Sequence, residues 1–428
     1  MKQEIQVALE WLLALESEGY EGALVGGAVR DLFLGLPITD VDIATSAPLE
    51  VILSLWPAAK PVGKPPLQTA LLQCGKVPVE FCSYCGFSLD HDLARRDFTV
   101  NAMAMTRLGT LVDPMGGEKD LTRRRLRFNG KAANRLDEDP VRAVRLFRFA
   151  ATLPLFTVAP DSESACRDPG LYRQIEKMPG ERIGREVTKA LEGDICLFLD
   201  MLNGTGLLGA ILPELEGLKG IEQDPEKHPE GDAFLHTRLC LNLVQKLTPD
   251  PAVRAAALLH DVAKAGYVPQ EAGHPCFEGH EQAGADIVRE ITRRWAWPQE
   301  LAETVTSLVR WHRLPCAPWP DSGVARQIRT RGGEWLERLF ILGYADVLAG
   351  SGRLMPWMEN RARALAALFR LEQAGRLVDG TEVMEILGLT GGPRIGEILE
   401  QLDEAVARGE ISTPAEARAW LILIRDRH

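Results

Sequence analysis

The sequence lacks the features that mark membrane and secreted proteins. None of its apolar runs approaches the roughly 20 residues that a membrane-spanning helix needs. The first residues, MKQEIQVALEWLLALESEGY, contain acidic side chains and lack the basic start and the small-residue cleavage site of a signal peptide. They have the pattern of an amphipathic helix instead. We therefore expect a cytoplasmic protein without membrane contacts.

Cysteine is sparse and does not form a metal-ligand framework. Only Cys82 and Cys85 have the spacing of a ligand pair, and no second pair completes a tetrahedral zinc site. Ordinary strand or turn positions are therefore the favoured interpretation of these two residues. The scattered cysteines favour a reducing compartment.

Positive charge is scarce overall but locally concentrated. The net charge of −11 argues against a general nucleic-acid coat, because phosphate binding depends on lysine and arginine. Between Lys119 and Arg148, however, ten basic residues stand against four acidic ones. The segment 213–232 is rich in acids, Pro and Gly and is the best candidate for a linker. The segregation predicts one face that could meet an anion.

Strand and helix patterns occupy different parts of the chain. Residues 22–113 alternate short apolar runs with turn signals, which predicts a small mixed sheet with helices. From about residue 120 onward, helical periodicity and capping residues dominate. We therefore expect an α+β protein in which a small mixed-sheet domain is followed by all-α domains.

The run LVGGAVRDLFLGLPITDVDIAT, residues 24–45, combines a glycine pair with two aspartates. A strand that ends at the glycines and leads into a helix would place the N–H groups of Gly26 and Gly27 at a helix N-terminus, which attracts anions. If TDVDIAT is a strand, Asp40 and Asp42 point to one face. Paired carboxylates can hold Mg²⁺ together with substrate phosphates, although a solvated strand end would use the same residues.

Further side chains extend this candidate site. Glu80, in VPVEFCSY, is a candidate third carboxylate or an exposed strand residue. Arg30 lies one turn into the predicted helix and could bind phosphate or pair locally. In RRDFTVNAMAM, Arg96 could donate to phosphate or sugar, Asp97 could orient it and Asn101 offers an amide. The alternative for this run is a salt-bridged helix start.

The stretch DEDPVRAVRLFRFAA predicts a helix with a charged start. Pro140 suits the first turn, and Asp139 and Arg142 stand at i and i+3 on one face. A capped helix with an internal ion pair is one interpretation. The other uses hydrogen bonding: a carboxylate accepts and a guanidinium donates, which matches the edges of cytosine and adenine and rejects uracil and guanine. The pair could therefore select the incoming base.

These motifs follow one another between residue 20 and about residue 190, where ERIGREVTKAL completes them. Together they resemble the class II tRNA nucleotidyltransferases, the CCA-adding enzymes and their bacterial poly(A) polymerase relatives. The resemblance implies a polymerase β-like head in which Asp40, Asp42 and Glu80 are catalytic, Mg²⁺ is bound, and the tRNA 3′-hydroxyl attacks the α-phosphate of a nucleoside triphosphate. It implies these nucleotide-binding residues: Gly26, Gly27, Arg30, Arg96, Asp97, Asn101, Asp139, Arg142 and Arg145.

Six of the eight histidines lie between residues 228 and 312. The run AALLHDVAKAG places a histidine and an aspartate side by side on a predicted helix. Imidazole and carboxylate groups from several helices suit a divalent transition metal that activates water on a phosphoester. The order of these residues resembles the HD phosphohydrolase superfamily, and a purely structural HD fold is the alternative. The resemblance implies these ligands: His236, His260, Asp261 and Asp346, with His280 and His312 as supplementary ligands.

One departure from the family bears on specificity. Members that finish the sequence with A usually carry a long charged loop before the RRD motif, whereas residues 80–95 are only EFCSYCGFSLDHDLAR. In the family, loss of that loop marks enzymes that add two cytidines and stop. We therefore expect a CC-adding enzyme that uses CTP. The alternatives are a full CCA-adding enzyme that uses CTP and ATP, and an A-adding enzyme or poly(A) polymerase.

The expected domains are the head at 1–115, a helical RNA-binding neck and body at 116–212, an HD domain at 228–350 and a helical tail at 351–428. The expected partner is the tRNA 3′ end, and the chain could act as a monomer or a homodimer. Two alternatives of another kind remain: an HD phosphoesterase with a noncatalytic RNA-binding head, and a noncatalytic RNA-binding adaptor.

Overall fold

The computed structural model describes residues 3–63, 68–75, 77–84, 88–266, 277–320 and 322–426. The chain divides into two compact units, Met1–Pro179 with Leu197–Ile211, and Gly180–Cys196 with Leu212–His428. In the described residues, no helix combines the length and the apolar character that crossing a membrane requires.

The strands lie in the first unit. They are β1 (Gly22–Val25), β2 (Val41–Thr45), β3 (Lys60–Val62), β4 (Thr69–Cys74), β5 (Val77–Ser83), β6 (Ala104–Met105), β7 (Leu111–Val112), β8 (Arg125–Leu126) and β9 (Thr157–Val158). The first seven form a mixed sheet in the order β3-β4-β5-β2-β1-β6-β7, and β8 pairs with β9. Strands β2 and β5 are parallel, as are β8 and β9, whereas the other pairs are antiparallel.

The first helices alternate with the strands of the sheet, and helices dominate the rest of the chain. They are α1 (Gln3–Ser17), α2 (Gly27–Leu34), α3 (Leu49–Leu55), α4 (Leu89–Arg95), α5 (Gly117–Thr122), α6 (Ala132–Glu138), α7 (Val141–Thr152), α8 (Pro160–Ala165), α9 (Pro169–Glu176), α10 (Gly180–Ala190), α11 (Ile195–Thr205), α12 (Leu208–Ile211), α13 (Pro213–Glu216), α14 (Ala233–Leu247), α15 (Pro251–Leu259), α16 (His280–Arg294), α17 (Gln299–Trp311), α18 (Val324–Ala349), α19 (Met355–Ala374), α20 (Gly380–Leu387), α21 (Pro393–Arg408) and α22 (Pro414–Arg425). Two 3-10 helical turns, Thr99–Asn101 and Val262–Gly266, complete the pattern.

The sheet is stabilised by apolar residues that alternate along its short strands. Ala23 and Val25 of β1 and Ala44 of β2 are buried together with Leu93 of α4 and Ala104 of β6. Side chains of successive strand residues point to opposite faces, so Asp42, two residues before Ala44 and opposite Val25, projects to the same face as this cluster. The core therefore fixes the register of β2, on which Asp42 lies.

The predicted α+β class, with a mixed-sheet head and a mostly helical remainder, is confirmed. The expectation that the segment after residue 120 is all-α is wrong in detail, because β8 and β9 pair there. Strands of two residues are too short to show the alternation that predicts a strand. The segment 213–232 is not merely a linker, since it contains α13 and supplies side chains to the histidine cluster described below. The four domain boundaries stay a prediction.

Candidate functional site

Three carboxylates converge at the centre of the sheet. Asp42 on β2 is the register partner of Glu80 on the parallel strand β5. Residues opposite each other in such a pair project to the same face. The predicted strand TDVDIAT is shorter than expected, since β2 begins at Val41 and leaves Asp40 just outside it. Asp40 nevertheless stays near enough to influence the ionisation of Asp42.

Asp42 is the most perturbed of these acids. Burial raises the pKa of Asp42 from its ordinary value of 3.8 to about 6, opposed by the guanidinium of Arg96 and reinforced by the carboxylates of Asp40 and Glu80. Arg145 also lowers this pKa. Crowded carboxylates that are costly to ionise fit a divalent cation, because its charge compensates their repulsion. The residues present therefore suit Mg²⁺.

The glycine turn lies directly beside these acids. Gly26 has φ of +71° and precedes α2, as the sequence predicts. Its N–H donates to the carbonyl of Met103 at 3.3 Å, so it does not belong to the free helix terminus. The expectation that Gly26 and Gly27 both present bare N–H groups is therefore wrong for Gly26. A Cβ at Gly27 would lie 3.9 Å from Oδ1 of Asp40.

Arg96 lies over the glycine turn. A Cβ built on Gly26 would come within 2.7 Å of Nη1 of Arg96 and 3.1 Å of Oδ2 of Asp42. The guanidinium is held by Asp92, to which Nε and Nη2 donate at 3.3 and 3.2 Å. The absence of a side chain at Gly26 thus allows Arg96 to approach Asp42.

Of the two roles that the sequence allows for Arg30, the structure shows local pairing. Its Nε and Nη2 donate to the two oxygens of Asp31 at 2.8 and 3.0 Å, and its Nη1 donates to Oδ1 of Asn101 at 2.6 Å. Asn101 in turn donates to Oδ1 of Asp97 at 3.1 Å, and Oδ2 of Asp97 lies 3.2 Å from Nη2 of Arg145. Arg30 is thus a buried support for this network and does not face outward toward a phosphate.

Asp139 and Arg142 lie where α6 gives way to α7. Oδ1 of Asp139 accepts from the N–H of Val141, the first residue of α7, at 3.3 Å. The N-cap position is Pro140, so Asp139 lies one residue before the cap. The guanidinium of Arg142 donates to Oε2 of Glu138 at 2.6 Å and to the carbonyl of Arg135 at 3.1 Å. The internal ion pair therefore involves Glu138, which sequence reasoning missed although it stands four residues before Arg142.

All six predicted metal ligands of the second unit come together, from five helices. His236 lies on α14 and Asp346 on α18, whereas His260 and Asp261 follow α15, His280 begins α16 and His312 ends α17. The four imidazoles are at most 5% exposed. Three of them donate from Nδ1 to the carbonyl three residues earlier, at 2.9 Å for His260, 2.6 Å for His280 and 2.7 Å for His312.

Those bonds decide which nitrogen faces the cluster. A carbonyl can only accept, so Nδ1 carries the proton and Nε2 presents a lone pair. Nε2 of His280 and Nε2 of His312 are 3.1 Å apart, where two lone pairs repel unless a cation or proton lies between them. Nε2 of His260 is buried without a geometrically satisfactory hydrogen bond, 3.3 Å from Oδ2 of Asp261. The donor set therefore fits divalent transition metals.

Asp261 stands between two groups of histidines. Its Oδ2 lies 3.3 Å from Nε2 of His260 and 3.9 Å from Nε2 of His236. Its Oδ1 lies 3.3 Å from Nε2 of His280 and 3.9 Å from Nε2 of His312. Either group has ligand atoms close enough to hold one ion. The arrangement could hold two ions that share Asp261.

Sequence reasoning missed two charged neighbours of this cluster. Nδ1 of His236 contacts Oε1 of Glu230 at 2.5 Å. Lys264, three residues after Asp261, donates from Nζ to Oδ2 of that aspartate at 2.6 Å. Lys264 could have been found from its i,i+3 spacing on a helical pattern, whereas Glu230 lies in the stretch taken for a linker.

Burial and the neighbouring charges shift the pKa values of His236 and His312 in opposite directions. Burial opposes a charge on His236, but its hydrogen bonds with Asp346 and Glu230 outweigh this and raise its pKa to about 9. Burial, with the neighbouring rings of His280 and His260, lowers the pKa of His312 to about 3. His312 is thus neutral at physiological pH, as a ligand must be, whereas His236 is protonated in the metal-free state and would have to release a proton on binding a metal.

Three family models match successive parts of the chain. The Poly A polymerase head domain matches residues 73–127, the probable RNA and SrmB-binding site of polymerase A matches 155–218, and the HD domain matches 233–350. The order agrees with the carboxylate site in the first unit and the histidine cluster in the second.

Individual relatives match over most of their length. The chain is 37% identical over 421 residues to the A-adding tRNA nucleotidyltransferase of Deinococcus radiodurans, with 93% of this chain and 94% of that protein covered. It is 36% identical over 307 residues to the multifunctional CCA protein of Halorhodospira halophila, covering 67% and 72%. The crystal structure of the Bacillus stearothermophilus CCA-adding enzyme with CTP aligns with a TM-score of 0.73 at 30% identity, covering 100% of this chain and 98% of that one.

Proposed function

Because the chain belongs to the tRNA nucleotidyltransferase family, we propose that it transfers nucleotides from nucleoside triphosphates to the 3′ end of tRNA. The observation that carries this proposal is the convergence of Asp40, Asp42 and Glu80 at the centre of the sheet. Mg²⁺ held by these carboxylates would neutralise charge on the triphosphate and lower the pKa of the attacking hydroxyl.

The neighbouring side chains supply the binding of the nucleotide. Arg96, held against the glycine turn by Asp92, is positioned to donate to a phosphate or to the sugar. The N-terminus of α2, from Gly27 onward, offers N–H groups to an anion. Asp97 and Asn101 are tied together by a 3.1 Å hydrogen bond, which favours a fixed polar surface for the ribose.

Selection of the base would fall to Asp139 and Arg142. In this structure Arg142 is engaged by Glu138, so the guanidinium would have to exchange this partner for a base. The side chain of Glu138 is 47% exposed and that of Arg142 is 16% exposed. Arg142 also donates to the carbonyl of Arg135 at 3.1 Å, so the exchange would have to release this contact as well.

We propose further that the enzyme adds two cytidines from CTP and stops. The support is the short connection between the third-carboxylate strand and the RRD motif: β5 ends at Ser83 and α4 begins at Leu89. Residues 85–87 of this connection, which include Cys85, lie outside the described residues. There is little room for the long charged loop that the family uses to finish with A.

Addition of the terminal adenosine is the second candidate. It is favoured by the 37% identity, over nearly the whole chain, to a relative that is named for A addition. The short connection favours addition of CC, whereas this relative favours addition of the terminal A. The two candidates differ only in the nucleotide that is transferred and in the tRNA end that accepts it.

One experiment separates these specificities. A tRNA transcript without its 3′ end and a transcript that ends in CC are each incubated with CTP, ATP or both, and the products are sized at one-nucleotide resolution. Two additions from CTP, and none from ATP on either transcript, support CC addition. One adenosine on the CC-ended transcript alone supports A addition, and three additions to the truncated transcript indicate a full CCA enzyme.

For the second unit we propose a metal-dependent phosphohydrolase activity. It is supported by the inward Nε2 atoms of His260, His280 and His312 around Asp261. A bound transition metal would supply a water of lowered pKa. Hydrolysis of bis(p-nitrophenyl) phosphate by the chain loaded with Mn²⁺ or Co²⁺ tests this, with His260→Ala as the control variant.

The double variant Asp40→Ala, Asp42→Ala distinguishes this account from a hydrolase with an inert head. The proposal requires loss of nucleotide incorporation while phosphoester hydrolysis persists. Unchanged incorporation would refute the role of the carboxylates.

A further inference from the structure

One cavity of the second unit is lined by residues that belong to neither site described above. It encloses about 510 Å³ and is lined by side chains of α16, α17 and α18, including Arg289, Arg293, Arg310 and Arg331. Glu303 is the acidic side chain in its described lining. The volume falls within the range of roughly 300 to 1,000 Å³ that small-molecule sites occupy.

The positive charge of this cavity is only partly compensated. Arg289 pairs with Asp286, but this i,i+3 pair is more than half exposed and holds the guanidinium weakly. Arg310 and Arg331 form no ion pair with any carboxylate in the described part of the chain. Nε of Arg331 donates to Gln327 at 3.1 Å, and that contact leaves its charge uncompensated. A guanidinium group that lacks an acid is suited to bind an anion.

Two indoles complete the lining. Trp297 and Trp311 both border the cavity, and Cζ of Arg310 lies 5.8 Å from the ring centre of Trp311. Aromatic surfaces beside arginine are the combination that binds the base and the phosphate of a nucleotide. A simple inorganic anion would make no use of the indoles.

We propose that this cavity binds a nucleoside phosphate, with Arg310 and Arg331 at the phosphate and an indole against the base. The ligand could be a free nucleotide or one nucleotide of an RNA strand, since the chemistry that recognises them is shared. The site goes beyond the proposed transfer reaction, because its helices belong to the second unit and the catalytic carboxylates to the first.

The test is photocrosslinking of the full chain with 8-azido-ADP, followed by peptide mapping. We expect label in peptides between residues 289 and 331, in addition to label in the head. The double variant Arg310→Met, Arg331→Met should weaken labelling of these peptides at least tenfold, whereas Arg326→Met should not. Arg326 is the matched control, since it lies on α18, pairs with Glu400 and is not part of the described lining.

Competition identifies the source of the ligand. Stronger protection by ADP than by a short oligoribonucleotide at equal nucleotide concentration indicates a free nucleotide, and the reverse indicates RNA. Label confined to residues 20–150, or label between 289 and 331 that inorganic phosphate displaces as well as ADP does, would overturn the proposal of a nucleotide site.

Discussion

Asp42 and Glu80 face each other across the parallel strands β2 and β5, as register partners at the centre of the sheet. The pairing places two acids on one face, where burial and the nearby Asp40 disfavour the ionised form of Asp42. The structure thus holds unfavourable charge in the place where the proposed reaction needs a cation. Stability and function should therefore oppose each other at Asp42.

Asp42→Asn should stabilise the metal-free protein at neutral pH. The folded pKa of Asp42, about 6, exceeds its ordinary value of 3.8, so the folded state binds more protons between these values and stability falls as the pH rises through the window. The full difference corresponds to roughly 3 kcal/mol, of which we expect about 1–3 kcal/mol in the free energy of unfolding at pH 7.5.

Urea unfolding at several pH values in EDTA measures this effect. The advantage of the Asp42→Asn variant should shrink as the pH falls from 7.5 toward 4, because the wild-type carboxyl then becomes neutral. The same variant should lose nucleotide incorporation. An advantage that is equal at pH 4 and pH 7.5 would show that the charge of Asp42 is not its cause.

Gly26→Ala should impair nucleotide binding. The added Cβ would lie 2.7 Å from Nη1 of Arg96, so the guanidinium must move away from Asp42. Positive φ adds strain of about 1–2 kcal/mol for a residue with a side chain. Steady-state kinetics should show a KM for the nucleotide raised tenfold or more.

Gly35→Ala is the matched control for this variant. Gly35 also has positive φ, +69°, but a Cβ there would meet nothing within 4 Å. It should lower the melting temperature by a few degrees and leave the KM unchanged. Equal KM values for the two variants would show that Arg96 does not depend on the open space at Gly26.

Arg30→Met should destabilise the head. The guanidinium is 8% exposed and compensates Asp31, which is equally buried, while its Nη1 holds Asn101. Removal of one partner of a buried ion pair leaves an uncompensated charge and costs about 3–5 kcal/mol. The double variant Arg30→Met, Asp31→Asn should recover part of this loss in a denaturation series. No recovery would mean that the loss stems from packing against Phe149 alone.

The sequence predicts the positions of the carboxylates in the head better than the side chains that support them. Alternation along β2 and an ordered set of motifs are local signals, and they identify Asp42 and the helix that follows Gly26. Arg142 pairs with Glu138, and Nη1 of Arg30 donates to Asn101. Both contacts depend on side-chain geometry, which the spacing of residues in the sequence does not determine.

The histidine cluster shows the same division. The HD motif is specific, and the six residues that it predicts as ligands do lie together in the structure. Glu230 was missed, since it precedes α14 in a stretch rich in Pro and Gly that has the composition of a linker. Only the packing of that stretch against His236 reveals its role.

Glu230→Gln should weaken metal binding at the histidine cluster without removing a ligand. The carboxylate contacts Nδ1 of His236 and so orients the ring with Nε2 toward Asp346, 2.9 Å away. Loss of such a supporting carboxylate typically costs 10- to 100-fold in metal affinity. Calorimetric titration of the metal-free Glu230→Gln variant with Mn²⁺ should show this loss. The variant Glu226→Gln, which changes an exposed acid in the same segment, should not show it.

A second measurement follows the pKa of His236 by NMR. In the metal-free Glu230→Gln variant this pKa should fall below its value of about 9, because Glu230 helps to raise it. If both the Mn²⁺ affinity and the pKa of His236 stay unchanged, Glu230 does not orient His236 for metal binding.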